Sequence, residues 1–279
     1  MRADLHLHTT ASDGSDTAAQ LLAKAAAAGM DVVAITDHDN IDGAVSVTEV
    51  PAGLRYIRGI EFSCVFPGGK CHMLGYGYDA GDPVFLAALE EGRRLRREKT
   101  EKRIRFLAER FGIVLTEEEL AWLRSRQAPG KPHFGQILAE RGLAPDLRTA
   151  IKIYVNPCKG GADRIEAENA IRGIHHAGGV TVWAHPLGGE GERRLSHEEF
   201  DARLETLMGY GLRGLECRYS RYDDDDIAFL LGRAAEHGLL ISGGSDYHGA
   251  NKRGIEIGML NVGNNPVDAE NLTVLDEIK

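Results

Sequence analysis

The chain opens with "MRADLHLHTTASDG" at residues 1–14, where a short apolar strand carries two histidines and a carboxylate follows. Side chains alternate along a strand, so His6 and His8 share one face of it. Two imidazoles on one face, with Asp13 five residues further on, suggest a common metal ion. The stretch also fits a pair of hydrogen-bonded surface histidines, so the rest of the chain must decide between the two interpretations.

Size and composition limit the class of protein. A chain of 279 residues allows one large domain, or one domain with an insertion. The net charge of −9 argues against a protein that coats nucleic acid or a membrane surface, although bound cations can make a pocket attract anions. Four cysteines without a CxxC pair, no apolar run of transmembrane length and no signal peptide predict a reduced, cytoplasmic protein without a membrane partner.

Seven stretches are predicted to be strands, at 3–7, 31–36, 54–63, 70–78, 179–186, 212–218 and 238–246. Helical patterns separate most of them, such as the alanine-rich stretch that ends at Gly29. This alternation is typical of an α/β fold with a parallel sheet. We therefore predict an α/β protein whose parallel sheet is closed, or nearly closed, into a barrel.

The middle of the chain has a different character. Residues 82–168 show helical patterns and no convincing strand, which predicts a small helical subdomain inserted between the two barrel segments, 1–81 and 169–279. Within it, 90–112 is a long, strongly basic helix that we interpret as a solvated face. Thr116 and Glu119 have the spacing of a capping box and predict the start of another helix.

Polar side chains gather where the predicted strands end. Six of the eleven histidines lie at or near strand ends, together with carboxylates. The eight residues placed there are His6, His8, His38, Glu61, His72, His185, Asp246 and His248. In a parallel barrel the C-terminal strand ends share one rim, and active sites lie there. A metal site explains this concentration better than separate surface histidines do.

The blocks "DLHLHTTASDG", "TDHDN", "GIEFS", "HMLGYG", "AHP" and "GGSDYHG" resemble the PHP (polymerase and histidinol phosphatase) family. They follow the family order along almost the whole chain, and most resemble its stand-alone phosphoesterases with a helical insertion. The resemblance implies a distorted (β/α)7 TIM-like barrel with two or three divalent metal ions, and Glu61 as a bridging ligand. The ligands carried over by resemblance are His6, His8, Asp13, His38, Glu61, His72, His185, Asp246 and His248. Such a mixed nitrogen and oxygen set suits manganese, zinc or iron without choosing among them.

A metal centre of this kind suggests hydrolysis of a phosphate ester. Three divalent ions would outweigh three carboxylates and draw an anionic ester to an otherwise acidic protein. Because metal ions lower the pKa of bound water, a metal-bridging hydroxide is expected to attack phosphorus without a serine or cysteine nucleophile. His185 and Asp246 are the catalytic candidates, and either His185 or a water molecule is expected to protonate the leaving group.

The insertion is predicted to act as a lid that selects the substrate. The candidates for substrate binding are Lys131, His133, Lys159 and Arg218. The first two lie in "PGKPHF" and resemble basic motifs with which related phosphoesterases bind a second phosphate or a sugar. Lys131 can instead be a solvated residue beside Pro132 at a helix start.

We expect a phosphoesterase for a small phosphorylated metabolite, either a nucleotide or a sugar phosphate, including a phosphoribosyl cyclic phosphodiester. The stretches "LGGEGE" after His185-Pro186 and "NPCKGGADR" depart from nucleotide-hydrolysing relatives and leave the sugar phosphate open. One alternative is an exonuclease for short RNA or DNA ends, which the basic helix favours and the net charge and missing aromatic stacking platform oppose. Another is a non-catalytic metal-binding accessory domain. No stable nucleic-acid complex is expected, and the sequence does not indicate an oligomeric state.

Overall fold

The computed structural model describes residues 1–159, 163–189, 192–265 and 268–278. Within them the chain forms a mixed sheet in which seven strands follow one another in the order β1-β2-β3-β4-β6-β7-β8, while β5 pairs with β3. The strands are β1 (Ala3–Leu7), β2 (Val32–Ile35), β3 (Arg55–Phe66), β4 (Gly69–Tyr76), β5 (Ile165–Glu166), β6 (Val180–Ala184), β7 (Gly214–Tyr219) and β8 (Leu240–Gly244). All seven predicted strands are confirmed.

The sheet is nearly closed into a barrel. Beyond β8, the backbone N–H of Asp246 donates to the carbonyl of His6 at 2.9 Å, and the N–H of His8 donates to the carbonyl of Tyr247 at 3.0 Å. These bonds join the last strand to the first. Leu5, Leu74 and Val182, from three different strands, are fully buried in one apolar cluster. Burial of such side chains is the main favourable contribution to folding. The strand order and these closing bonds confirm the predicted, nearly closed barrel.

One strand corrects the prediction of a parallel sheet. β4 pairs antiparallel with both β3 and β6. The reason is local, because only Pro67 and Gly68 separate β3 from β4, and so short a connection can join only antiparallel neighbours. Since β4 runs in the reverse direction, His72 near its start lies at the rim where the parallel strands end.

Helices between the strands cover the outside of the sheet. They are α1 (Ala18–Ala27), α2 (Asp42–Val45), α7 (Ala167–His176), α8 (His197–Gly209) and α9 (Asp224–His237). Short 3-10 helices follow β8 at Gly249–Asn251, Ala269–Asn271 and Thr273–Asp276. No helix in the described ranges has both the length and the apolar character needed to cross a lipid bilayer.

Four further helices lie between β4 and β5. They are α3 (Pro83–Phe111), α4 (Glu117–Arg124), α5 (Lys131–Glu140) and α6 (Leu147–Ala150), which continues as a π-helix over Ile151–Val155. Their buried Leu107, Leu123 and Phe134 form an apolar cluster distinct from that of the barrel. The capping box of Thr116 and Glu119 at the start of α4 is confirmed.

The same region contains the short strand β5, which corrects the expectation of no strand in 82–168. β5 pairs in parallel with β3, where Ile165 lies opposite Cys64. Its two residues are too few to show an alternating pattern, so the sequence carried no signal for it.

Candidate metal centre

The structure brings all nine predicted metal ligands together at one end of the barrel. The six histidine rings are neighbours, with centroid distances between successive rings of 4.0 to 5.9 Å. Asp13 and Asp246 approach this ring from its edge, with an oxygen of each 3.3 Å from a nitrogen of His248. All nine are buried except His38 and His72, which are partly exposed to the cavity described below.

Glu61 lies at the centre of the histidine ring. Its Oε1 is 2.8 Å from Nδ1 of His72, and its Oε2 is 3.3 Å from Nε2 of both His6 and His8. Burial opposes ionisation of Glu61, but the histidines, His38 foremost, hold the pKa of this carboxyl well below its usual range. Glu61 is therefore a charged carboxylate whose two oxygens face different histidines.

Buried polar atoms without partners show that the cluster fits metal ions. Such atoms cost free energy unless something binds them. Within the described residues, those with no hydrogen-bond partner include His6 Nε2, both ring nitrogens of His8, Asp13 Oδ1, His38 Nδ1 and Glu61 Oε2. All are imidazole nitrogens or carboxylate oxygens, the donors that manganese, zinc and iron accept in proteins.

These donors fall into three overlapping groups. Within each group the ligand atoms lie within 4.8 Å of one another. The groups are His8, Asp13, His38 and His248; His6, His8 and Glu61; and His38, Glu61 and His72. Since the groups share residues, the donor atoms of the described residues form one continuous cluster.

Glu216 supports two of the ligands and was missed in the sequence. Its Oε1 is 2.8 Å from Nδ1 of His6, and its Oε2 accepts a hydrogen bond of 2.6 Å from the backbone N–H of His185. The contact at Nδ1 leaves Nε2 of His6 directed at Glu61, which is how buried carboxylates orient metal-binding histidines. The available signal was an acidic residue inside the otherwise apolar "GLEC" of β7.

Asp246 is oriented by two further residues that were not predicted. Its Oδ2 accepts hydrogen bonds from Nζ of Lys252 and, at 3.1 Å, from the hydroxyl of Tyr219, while its Oδ1 lies 3.4 Å from Nε2 of His8. Burial opposes its ionisation, but Lys252 together with the neighbouring histidines outweighs this and holds the pKa of Asp246 well below its usual range. Asp246 and His185 have φ values of 58° and 30°, a left-handed conformation that is uncommon for residues other than glycine and is found repeatedly at functional sites.

A cavity of about 370 Å³ opens beside the ligands and is strongly cationic on its other walls. The cations that line it are Arg96, Lys99, Arg103, Lys131, Arg148, Arg164 and, beside Asp246, Lys252. The first three lie on α3 at spacings of three and four residues, so they share one helix face. This corrects the interpretation of 90–112 as a solvated face, because Arg103 is only 6% exposed and Arg96 and Lys99 are partly buried.

Positive charge is crowded in this part of the cavity. Burial, together with Arg164 and Arg103, lowers the pKa of Lys99 to about 7, although Asp163 lies 3.4 Å from its Nζ. Burial and the neighbouring arginines also lower the pKa of Lys131. A bound anion would relieve this repulsion and favour the charged form of both lysines.

The predicted substrate residues are placed differently from one another. Lys131, the first residue of α5, lines the cavity. His133 is buried, accepts a hydrogen bond of 2.9 Å from the backbone N–H of Gly130, and lines a smaller pocket beside the cavity. The cavity lining includes neither the exposed Lys159 nor Arg218, which is partly buried on β7.

The chain is similar in sequence to known proteins along most of its length. A family model described as PHP domain matches residues 4–118. A 3',5'-nucleoside bisphosphate phosphatase from Chromobacterium violaceum is 29% identical over 91% of this chain and 90% of its own length. A 5'-3' exoribonuclease from Haemophilus influenzae is 31% identical over 88% of this chain and 89% of its own length.

The fold of the chain also matches that of a solved structure. A candidate metal-dependent phosphoesterase from Bifidobacterium adolescentis superposes with a TM-score of 0.83 and 29% identity, covering 99% of this chain and 94% of that one. The shared fold, the matching family model and 31% identity along most of the chain lead to one assignment: the chain belongs to the PHP family of metal-dependent phosphoesterases.

Proposed function

We propose that the protein hydrolyses a phosphate ester of a small metabolite, a nucleotide or a sugar phosphate, that carries a second anionic group. One observation carries this proposal. Asp13, His72 and His185 of the metal centre line the same cavity as the cations Lys99 and Lys131. A single molecule in that cavity would therefore contact the metal centre with one phosphate and the cationic wall with another group.

The metal ions would be held by the nine residues of the cluster, with Glu61 shared between them. When bound, divalent ions supply an activated water and offset the charge on the phosphate oxygens. Manganese, zinc or iron would suit the donor set, and two or three ions would suit the three groups of donors. Glu216, Lys252 and Tyr219 keep His6 and Asp246 in the orientation that this binding requires.

His185 has two nitrogens with different surroundings. Its Nε2 is 3.2 Å from Glu61 Oε1, and its Nδ1 is 3.8 Å from Glu192 Oε2. Nε2 is therefore the nitrogen that faces the centre of the histidine cluster, whereas Nδ1 faces Glu192. We therefore assign His185 to metal binding through Nε2, and a water molecule in the cavity to protonation of the leaving group.

The insertion over 82–168 would serve as the lid of the cavity. Arg96 of α3 contacts two parts of the barrel. Its Nε donates to Asp39, in the loop after β2, at 2.8 Å, and its terminal nitrogen donates to Ser63 on β3 at 2.8 Å. Lys131, at the start of α5, also lines the cavity. These contacts would hold the cationic residues of the lid beside the metal centre.

A second candidate is an exonuclease that removes nucleotides from short RNA ends. The similarity to the Haemophilus influenzae exoribonuclease and the cationic face of α3 favour it. The net charge of −9 opposes extended contact with a polyanion. A non-catalytic accessory domain is disfavoured because the ligand cluster is complete and opens into the cavity.

Three of the four unpaired cysteines are buried, in keeping with a reducing, cytoplasmic location.

The test is a substrate panel with the manganese- or zinc-loaded protein. It would contain p-nitrophenyl phosphate, a nucleoside 3',5'-bisphosphate, a ribose phosphate, a phosphoribosyl cyclic phosphodiester and oligoribonucleotides of increasing length. We expect the highest kcat/KM for a small compound with two anionic groups. A rate that increases with oligonucleotide length would favour the exonuclease, and no hydrolysis by fully metal-loaded protein would refute both.

A further inference from the structure

A smaller pocket adjoins the metal cavity and is not used by the proposed phosphate contacts. Its volume of about 190 Å³ is several times the about 30 Å³ share of one water molecule, so it admits a ring-sized group. Its lining residues include Trp122 on α4, Arg126 after α4 and His133 on α5. Pro132 and Asn251 line both this pocket and the metal cavity, so the two adjoin each other.

The walls of this side pocket are flat and cationic. The guanidinium carbon of Arg126 lies 4.6 Å from the ring centroid of Trp122, and the ring of His133 meets the indole edge-on at 5.4 Å. Nε of Arg126 is buried and has no hydrogen-bond partner within the described residues. Indole rings and guanidinium planes are the surfaces on which proteins stack nucleic-acid bases.

The position of the side pocket relative to the metal centre suits a nucleotide. Gly14, which also lines it, directly follows the candidate ligand Asp13, and Thr10 lies two residues after His8. Asn251 links the pocket wall to the metal centre, because its Nδ2 donates to the carbonyl of Asp13 at 2.9 Å. A molecule whose phosphate reaches the metal centre could therefore place an attached ring in the side pocket.

We propose that the side pocket binds the nucleobase of the substrate, stacked against Trp122 and Arg126, and hence that the substrate is a nucleotide. A sugar phosphate would leave this pocket without an occupant. The inference rests on the proposed phosphoesterase function and adds the class of compound that carries the phosphate.

Tryptophan fluorescence gives a test that does not depend on turnover. The chain has two tryptophans, and Trp183 is 2% exposed and stacked on Phe200, so it is shielded from ligands. Adenosine 5'-monophosphate should quench the fluorescence of zinc-loaded protein, whereas ribose 5-phosphate should not. In Trp122→Phe the stacking ring remains but the quenching should be lost, which assigns the signal to Trp122.

Kinetics provide the second test, with a nucleoside bisphosphate compared with the same phosphorylated ribose without its base. In Trp122→Ala the ratio of kcat/KM for the nucleotide to kcat/KM for the abasic compound should fall at least about fivefold, which is the lower end of the effect of base–aromatic stacking. In Trp122→Phe most of this ratio should be retained, because an aromatic ring remains. If Trp122→Ala does not fold, the same ratio can be compared between Arg126→Ala, in which it should fall, and Arg126→Lys, which keeps the positive charge. Equal rates on both compounds without quenching would overturn the base pocket alone, whereas no hydrolysis of either would overturn the phosphoesterase function.

Discussion

Oε1 of Glu216 and Nδ1 of His6 lie 2.8 Å apart at the base of the metal centre, where both side chains are completely buried. Glu216 thereby determines which nitrogen of His6 faces Glu61, although it is not itself one of the predicted ligands. A neutral amide in its place would hold the imidazole less firmly and reduce its basicity. Glu216→Gln should therefore weaken metal binding by roughly ten- to a hundredfold, as measured by competition with a chelating dye.

The control for this variant is Glu205→Gln, which makes the same chemical change at an exposed position on α8. Its metal affinity should match that of the unmodified protein. Equal affinities for the Glu216 and Glu205 variants would show that the buried carboxylate does not orient His6.

Loss of one candidate ligand should stop catalysis without unfolding the barrel. His8→Ala and Asp246→Asn each remove a donor from a site that other residues preassemble, so the metal ions would be misplaced and their electrostatic stabilisation of the transition state lost. We expect no measurable phosphoester hydrolysis at saturating metal, with an unchanged far-ultraviolet circular dichroism spectrum. A kcat near that of the unmodified protein, in either variant, would show that its ligand assignment is wrong.

Metal removal should destabilise the protein, because it leaves buried imidazoles and carboxylates without partners. At a free manganese concentration of one hundred times Kd, each site should add about 2.7 kcal/mol to the free energy of unfolding, as seen in denaturant titrations with and without metal. Elemental analysis of the loaded protein should find two to three metal ions per chain. Less than one ion per chain, or unfolding that ignores added metal, would contradict the proposed cluster.

Lys131 should discriminate between substrates with and without a remote phosphate. A hydrogen bond from a charged lysine to phosphate contributes about 1.5–3 kcal/mol. In Lys131→Ala, the ratio of kcat/KM for a nucleoside bisphosphate to that for p-nitrophenyl phosphate should fall about ten- to a hundredfold, at about 1.4 kcal/mol per factor of ten. Lys152→Ala, an exposed lysine elsewhere in the insertion, should leave the ratio unchanged. An unchanged ratio in Lys131→Ala as well would mean that Lys131 is only a solvated residue at a helix start.

Lys99 should make anion binding depend on pH near neutrality. Its pKa is lowered to about 7, so the ammonium is present below pH 7 and is lost as the pH rises through that value. Sulfate keeps the same charge over this range, and its affinity, measured by calorimetry, should fall between pH 6 and pH 8. Lys99→Arg keeps its charge throughout and should show a shallower decline. Parallel pH profiles for the two proteins would remove Lys99 from the anion site.

The convergence of the nine candidate ligands was predictable because each of them belongs to a local pattern. A histidine or carboxylate directly after an apolar strand reaches the rim of a barrel whichever helices surround it, as His185 and Asp246 do. His72 lies within the reversed strand β4 and not after a strand, but the β3–β4 hairpin places it opposite Ser63, near the same rim.

The cavity walls were not predictable, because long-range packing forms them. Basic residues occur on all sides of α3, and only its contacts with the barrel and the other inserted helices decide that Arg103 is buried. The stacking surface of Trp122 and His133 likewise depends on how α4 packs against α5. Glu216 had a local signal, but an acidic residue in a strand does not reveal its partner on another strand.

The reversal of β4 has a consequence for how this fold tolerates insertions and deletions. β4 ends beside the starts of β3 and β6, at the barrel end remote from the metal centre, so α3 must traverse the height of the barrel before its cations reach the cavity. Its 29 residues span about 43 Å, and Gly92 passes so close to Asp39 that an added Cβ would lie 3.3 Å from the carboxylate. Deleting one residue before Gly92 would turn the cationic face by about 100°. Length changes in this helix should thus be accepted only in near-whole turns, about seven residues for two turns, whereas the surface loops of the same barrel are free to vary by single residues.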